Sequence, residues 1–327
     1  MRIIQRLVFS LVLISSMKNF KHLLFFSILY SIVLITNCGN GDDDSTTVLD
    51  ADGDGVADAD DTCPNTVESV EVNENGCTHS QLANLSGYDY NHKDLLNPPY
   101  DGTIFISGNI ITHEDTSTYD SVIYTGIASR TMYDRRNGGA WITIEPHIFP
   151  SFFRDGPNIE IQINPEFTRE EAQLEATKYA FLIGQLPIAL RKDIETMWIH
   201  KGVEGYGGGN NNILIHTGMT ASYETHYTGN ITEETLIHEA AHTSIDAYCY
   251  NDPDWEDAVQ KDDSRYISSY AKEFPNREDI AELFPLYVAI KYFPERINQE
   301  ITDNTLSTSL HRVLYFDKQE YDMAIYK

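Results

Sequence analysis

The chain has 327 residues, with 23 Lys+Arg against 50 Asp+Glu and a formal net charge of −27. That length holds one or two domains plus a targeting segment. So acidic a surface excludes the basic stripes that neutralise phosphates, and no nucleic-acid partner is expected. It fits calcium binding and an exported protein kept soluble by charge repulsion.

Residues 1–37 are nearly all apolar and read as an export segment. Residues 1–38 hold four basic residues (Arg2, Arg6, Lys18, Lys21) and no acidic one, so the remainder carries 19 against 50, a net of −31. Read from Met17, a basic start precedes an apolar run from Leu23 to Ile35, which is the layout of a secretory signal. On this reading Met17 is the true start. The alternative is a membrane anchor that stays in place, since the run borders on spanning length. Leu34-Ile35-Thr36-Asn37-Cys38 resembles a bacterial lipoprotein box. Asp42, Asp43 and Asp44 behind it look like the acidic export tag of surface lipoproteins of Bacteroidetes-type bacteria. The resemblance implies lipidation at Cys38, attachment to a membrane through the acyl chains, and an outer-membrane or cell-surface location facing outwards.

An acidic linker over 38–48 leads to "DADGDGVADADD" at 50–61. Asp50, Asp52, Asp54, Asp58 and Asp61 fall at positions 1, 3, 5, 9 and 12 of a twelve-residue calcium loop. Gly55 is at position 6, and Val56 at position 7 offers its backbone carbonyl. No amphipathic helix precedes the loop, so an EF-hand is not expected. With the following "TCPNTVESVEVNENGCTH", the stretch resembles a thrombospondin type-3 repeat, assigned here to 49–80. The resemblance implies bound calcium and a Cys63–Cys77 disulfide, which suits an oxidising exterior. An acidic disordered linker is the alternative.

From residue 81 to 327 the composition is globular. Strands are expected over 103–111, 140–149, 158–164, 196–202 and 211–218, and helices over 168–185, 231–249 and 277–292, with a further segment near 304–313. Strands come first and the strongest helices later, so the fold class is α+β. The glycine-rich "GVEGYGGGNNN" (202–212) lacks the Lys-Ser/Thr of a phosphate loop and reads as a mobile turn between strands.

"LIHEAAHTSID" (236–246) carries the chemistry. Asn230 and Glu233 form a candidate capping box for its helix, with Thr232 a competing cap. His238 and His242, four apart, leave one helix face a turn apart, so both imidazoles reach one tetrahedral ion at about 2.0–2.1 Å. Glu239 is turned about 100° away, placed to take a proton from a water that the ion activates. The sequence is the H-E-x-x-H signature of zincin metallopeptidases, which this helix resembles. No third histidine follows on the metzincin spacing. His311 is the sole downstream histidine, and Cys249 reads as a buried core thiol.

The third ligand is expected in "REDIAELF" (277–284), a helix capped by Asn276. Glu278-Asp279-Ile280-Ala281-Glu282 resembles the E-x-x-A-E helix of gluzincin peptidases, including the anthrax-lethal-factor-like group. The resemblance implies Glu278 as zinc ligand and Glu282 as its support, with the swapped roles left open. Thirty-five residues separate His242 from Glu278, longer than in thermolysin-type enzymes. The same resemblance makes Asp246 a supporting residue and Tyr270 the candidate oxyanion stabiliser, with Tyr266 and His226 as alternatives. The expected protein is a monomeric zinc endopeptidase acting on proteins or peptides, with Zn2+ at the catalytic site and Ca2+ in the repeat. "NNILIHTG" (211–218) is expected as the edge strand that takes an extended substrate. The competing reading is a catalytically inactive zincin-fold surface adhesin or scaffold.

Overall fold

In the computed structural model, which describes residues 48–327 apart from Ser107 and residues 227–230, the chain folds as a mixed α/β structure. The export segment, Cys38 and Asn230 lie outside the described residues. No described helix is long and apolar enough to cross a membrane.

The aspartate-rich loop comes first, wrapped on its own side chains. Asp50 accepts from the amides of Gly53 and Gly55 at 2.9 and 3.1 Å, and Asp52 from those of Asn65 and Thr66 at 2.8 and 2.7 Å. Cys63 and Cys77 are disulfide-bonded. Thr78 then caps helix α1 (His79–Leu85), and the Gln81 side chain closes the capping box. Residues 48–327 form one compact unit, and Glu74 pairs with Lys261 at 3.7 Å.

The strand expected over 103–111 does not form in its described residues. Its backbone donors are taken by buried carboxylates instead of a neighbouring strand: Ile104 N–H donates to Glu282 at 3.0 Å and Ile106 N–H to Glu234 at 2.5 Å. Strands β1 (Tyr119–Val122), β2 (Gly126–Ile127) and β3 (Arg130–Asp134) follow. The single strand expected over 140–149 is two strands in two sheets. β4 (Ala140–Ile144) pairs only with β3, and β5 (His147–Phe153) enters the main sheet. Pro146 lies between them and has no amide to continue a ladder.

β6 (Ile159–Ile163) is antiparallel to β5. Helix α2 (Arg169–Ile183) starts at a Thr168–Glu171 capping box and buries Ala172, Ala176, Tyr179, Ala180 and Ile183, a helical stripe. After α3 (Ile188–Arg191) come β7 (Thr196–His200), β8 (Gly207–Gly209) and β9 (Asn212–His216). The main sheet runs β1-β5-β6-β7-β9-β8, with β2 also on β5. β6, β7 and β9 are parallel, in a register that aligns Ile161, Met197 and Ile213. These three and Ile163, Ile199 and Ile215 are buried, as strands covered by helices require. Two expectations are corrected here. The glycine-rich stretch is not merely a turn, because it supplies β8. And β9, paired on both sides, is not the edge strand; β8 is.

The rest is helical: α4 (Thr217–His226), α5 (Ile231–Ser244), α6 (Asp246–Cys249), α7 (Pro253–Lys261), α8 (Ser269–Glu273), α9 (Pro275–Tyr292) and α10 (Gln299–Lys318). The helix expected over 231–249 breaks at Ile245 into α5 and α6. Asn276 is not the cap of α9. Phe274 holds that position, because Pro275, with its preset φ and no amide, takes the first helical position. α5 and α9 pack on each other and are buried on nearly every face, the signature of central helices.

Candidate metal centre

Glu233 and Glu234 in the first turn of α5 suit the positive end of its dipole. Leu236, Ile237, Ala240 and Ala241 are fully buried, which locks the helix and fixes the direction of its two histidines. The rings of His238 and His242 meet edge to face, centroids 4.9 Å apart. α9 lies across them and brings Glu278 from its first turn. One oxygen, Oε2 of Glu278, is 3.5 Å from His238 Nε2 and 3.3 Å from His242 Nε2. Ligand atoms around a tetrahedral zinc at 2.0–2.1 Å stand ~3.3 Å apart, and both distances from Glu278 Oε2 match that spacing. Glu239 groups with the two histidines, a carboxylate oxygen lying within 4.8 Å of a nitrogen of each.

The outward-facing nitrogens have partners of their own. His242 Nδ1 is 2.7 Å from Asp246 Oδ2, a bond kept across the break at Ile245. His238 Nδ1 faces Glu282 Oε1 at 3.6 Å. Glu282 is held by Thr103 Oγ1, by Ser268 Oγ at 2.7 Å and by the Ile104 amide. Carboxylates behind imidazoles fix ring orientation and tautomer at metal sites. Glu278 is likewise held from behind: its Oε1 accepts from Arg277 Nε at 2.6 Å and from the Tyr270 hydroxyl at 3.0 Å. Arg277 also donates to the Tyr270 oxygen at 3.0 Å.

The electrostatics favour a cation. Burial opposes protonation of His242, but Asp246 and Glu278 outweigh it and push its pKa up to about 10. Burial works against the Glu278 anion, yet both histidines and Arg277 hold its carboxyl well below the usual range. Burial raises the Asp246 carboxyl, with His242 opposing. Asp246 Oδ1 is buried without a hydrogen-bond partner among the described residues.

β8 roofs the centre. A Cβ on Gly208 would fall 1.9 Å from the Glu239 carbonyl oxygen and 2.9 Å from His242 Cβ, so only glycine lets the edge strand lie on α5. Gly209 N–H donates to Thr243 Oγ1 at 2.8 Å, stitching strand to helix. Sequence reasoning missed β8, Arg277 and the backing of Glu282. The signals were three consecutive glycines and an arginine adjacent to Glu278.

Of the other residues singled out, Tyr266 lies under the Arg312 guanidinium, 5.4 Å from its ring centroid, and not in the Glu278 cluster. Cys249 is buried beside the Tyr321 hydroxyl at 3.6 Å. The His226 side chain lies outside the described residues. In the repeat, Asp50, Asp52 and Asp54 bring carboxylate oxygens within 4.8 Å of one another. Asp58 accepts from the Ala51 amide at 2.6 Å, Asp61 from that of Cys63 at 2.7 Å, and the Val56 amide donates to Asp54 at 2.9 Å. Asp54 Oδ2 is buried with no hydrogen-bond partner among the described residues. Asp54 and Asp61 both close on Gly76, where a Cβ would lie 3.0 and 2.1 Å from their oxygens.

Comparison with family models, with curated proteins and with solved structures returned no match to this chain.

Proposed function

We propose that residues 81–327 are a zincin-type, gluzincin-like zinc endopeptidase, with His238, His242 and Glu278 as the metal ligands. The observation that carries this reading is the single oxygen of Glu278 standing 3.3–3.5 Å from both Nε2 atoms. Asp246 and Glu282 orient the two imidazoles from behind. Glu282 meets an Nδ1 and not an Nε2, which favours it as support and Glu278 as ligand. When bound, zinc supplies a Lewis acid that polarises the peptide carbonyl and brings a water pKa towards ~7. Glu239 takes the proton from the attacking water on its carboxylate and passes it to the leaving amine.

Tyr270 is engaged with Glu278 and Arg277, so service at the oxyanion requires its hydroxyl to leave that bond. An extended substrate adds to β8, which ends the sheet among the described residues and rests on Glu239 and His242. The same reading gives the repeat a calcium ion, supported by the unpartnered Asp54 Oδ2. It places the protein on the cell surface through a lipid at Cys38.

The test is cleavage of mixed peptides by residues 48–327. Wild type cleaves them. Glu239→Gln keeps its zinc and loses at least ~100-fold in rate, the usual worth of a general base. Cleavage that survives both Glu239→Gln and zinc chelation overturns the mechanism. Zinc bound with no cleavage by wild type leaves the inactive surface-scaffold reading in its place.

A further inference from the structure

Away from the H-E-x-x-H helix, a second cluster of metal-ligating atoms joins three elements distant in sequence. His79 is the first residue of α1, Asp262 follows α7, and His311 lies in the second half of α10. Their ligand-type atoms all lie within 4.8 Å of one another. Asp262 Oδ1 is 3.0 Å from His311 Nδ1 and 3.7 Å from His79 Nε2. Those distances bracket the ~3.3 Å ligand spacing of tetrahedral zinc. The His79 and His311 rings meet edge to face with centroids 4.6 Å apart, much as His238 and His242 do at 4.9 Å. His92 stands next in the cluster, its ring centroid 5.9 Å from that of His79.

The carboxylate is already fixed in place. Asp262 is 2 % exposed. α10 loses its helical geometry at Ser309, and Asp262 caps the restart by accepting from the amides of His311 and Arg312 at 2.9 and 3.2 Å. Its Oδ2 also takes Arg312 Nε at 3.0 Å. Oδ1, which takes the His311 amide, is also the oxygen turned towards both imidazoles. His79 retains 31 % side-chain exposure, which gives an ion a path in.

We infer that His79, Asp262 and His311 form a second divalent-metal site, of structural kind, that takes zinc or a similar imidazole-preferring ion. Two imidazoles and one carboxylate suit zinc and exclude a calcium-type oxygen cage. The ion fastens α10 and the end of α7 to α1, two residues beyond the Cys63–Cys77 disulfide. It thereby pins the aspartate-rich repeat to the helical half of the molecule, beside the Glu74–Lys261 pair.

The experiment counts zinc per chain by elemental analysis after loading the full chain with Zn2+ and dialysing in saturating Ca2+. Wild type is expected to hold two zinc ions, His79→Gln/His311→Gln one, and His238→Gln/His242→Gln one. Co2+ loaded into the His238→Gln/His242→Gln chain is expected to give visible d–d bands that the added His79→Gln removes. Zinc content unchanged in His79→Gln/His311→Gln overturns the site and leaves the proposed catalytic centre standing. If His79→Gln/His311→Gln fails to fold, the His238→Gln/His242→Gln chain decides: one zinc retained supports the site, and none overturns it.

Discussion

Glu278 and Glu282 are one helical turn apart on α9, yet they meet different faces of the same imidazole. Glu278 Oε2 approaches the Nε2 atoms of both histidines, whereas Glu282 faces His238 Nδ1 and is bound by three donors from other segments. Their substitutions should therefore part company. Glu278→Ala is expected to lose the zinc at this centre while keeping its fold. Glu282→Ala is expected to keep zinc with ~10–100-fold weaker affinity. It also leaves the partly buried Ile104 amide and the buried Ser268 hydroxyl proton without their acceptor, at a cost of about 1–3 kcal/mol in stability. Zinc titration alongside thermal unfolding separates the two, and equal zinc loss in both variants would contradict the assigned roles. The E-x-x-A-E spacing placed both carboxylates on one face but left their roles interchangeable. What separates them is the position of α9 relative to α5, which the spacing does not encode.

β8 and α5 touch through backbone, and this makes the three glycines of β8 unequal. A Cβ at Gly208 meets the Glu239 carbonyl at 1.9 Å, and backbone cannot step aside as a side chain can. A Cβ at Gly207 meets only the end of the Arg135 side chain, at 2.6 Å from its Nη2. Gly208→Ala should destabilise by about 1–3 kcal/mol, as overpacking does, and should depress peptide cleavage by displacing Glu239. Gly207→Ala should be near neutral in both. Melting temperatures and cleavage rates of the two variants check this, and a Gly208→Ala chain indistinguishable from Gly207→Ala would count against β8 as the roof of the centre. At this scale, short runs rich in isoleucine made β6, β7 and β9 readable in the sequence, and a capping box with a periodic buried face did so for α2. The stretch 103–111 misled because its apolar pattern imitates a strand while its amides serve the carboxylates of distant helices. Three glycines have no pattern at all, so β8 was invisible as a strand.

Across the whole molecule, the parallel strands end in a buried polar cluster. His200 and His216 close β7 and β9 and stack 5.4 Å apart over Asp134. His200 Nδ1 faces the Asn164 amide at 2.9 Å and Nε2 faces the Tyr133 carbonyl at 3.1 Å, a set that suits the neutral imidazole. Burial lowers the His200 pKa to about 4, with Asp134 opposing, and lowers that of His216. The unfolded chain then binds more protons than the folded one below the ordinary 6.5 of histidine, down to about 4 for His200. Stability is therefore full above about pH 6.5 and is lost as pH falls towards 4, by up to ~1.4 kcal/mol per pH unit for each proton taken up. Thermal midpoints measured from pH 8 to 4 in chelator-treated His238→Gln/His242→Gln, where release of a bound metal ion does not intervene, should fall below pH 6.5. The fall should be shallower with His200→Gln added. A midpoint flat across that range would contradict the assignment.

The sequence by itself determined the parts that are local. H-E-x-x-H puts two imidazoles and a carboxylate on one helix through the 3.6-residue turn, and the capping residues and strand alternation act within a few positions of one another. Only the tertiary structure decided which glutamate meets the Nε2 atoms, which strand lies next to α5 at the end of the sheet, and that His311 stands beside His79 and Asp262. Those are contacts between segments tens to hundreds of residues apart. Their geometry comes from how α5, α9 and the sheet bury their apolar faces together, and no spacing along the chain records it.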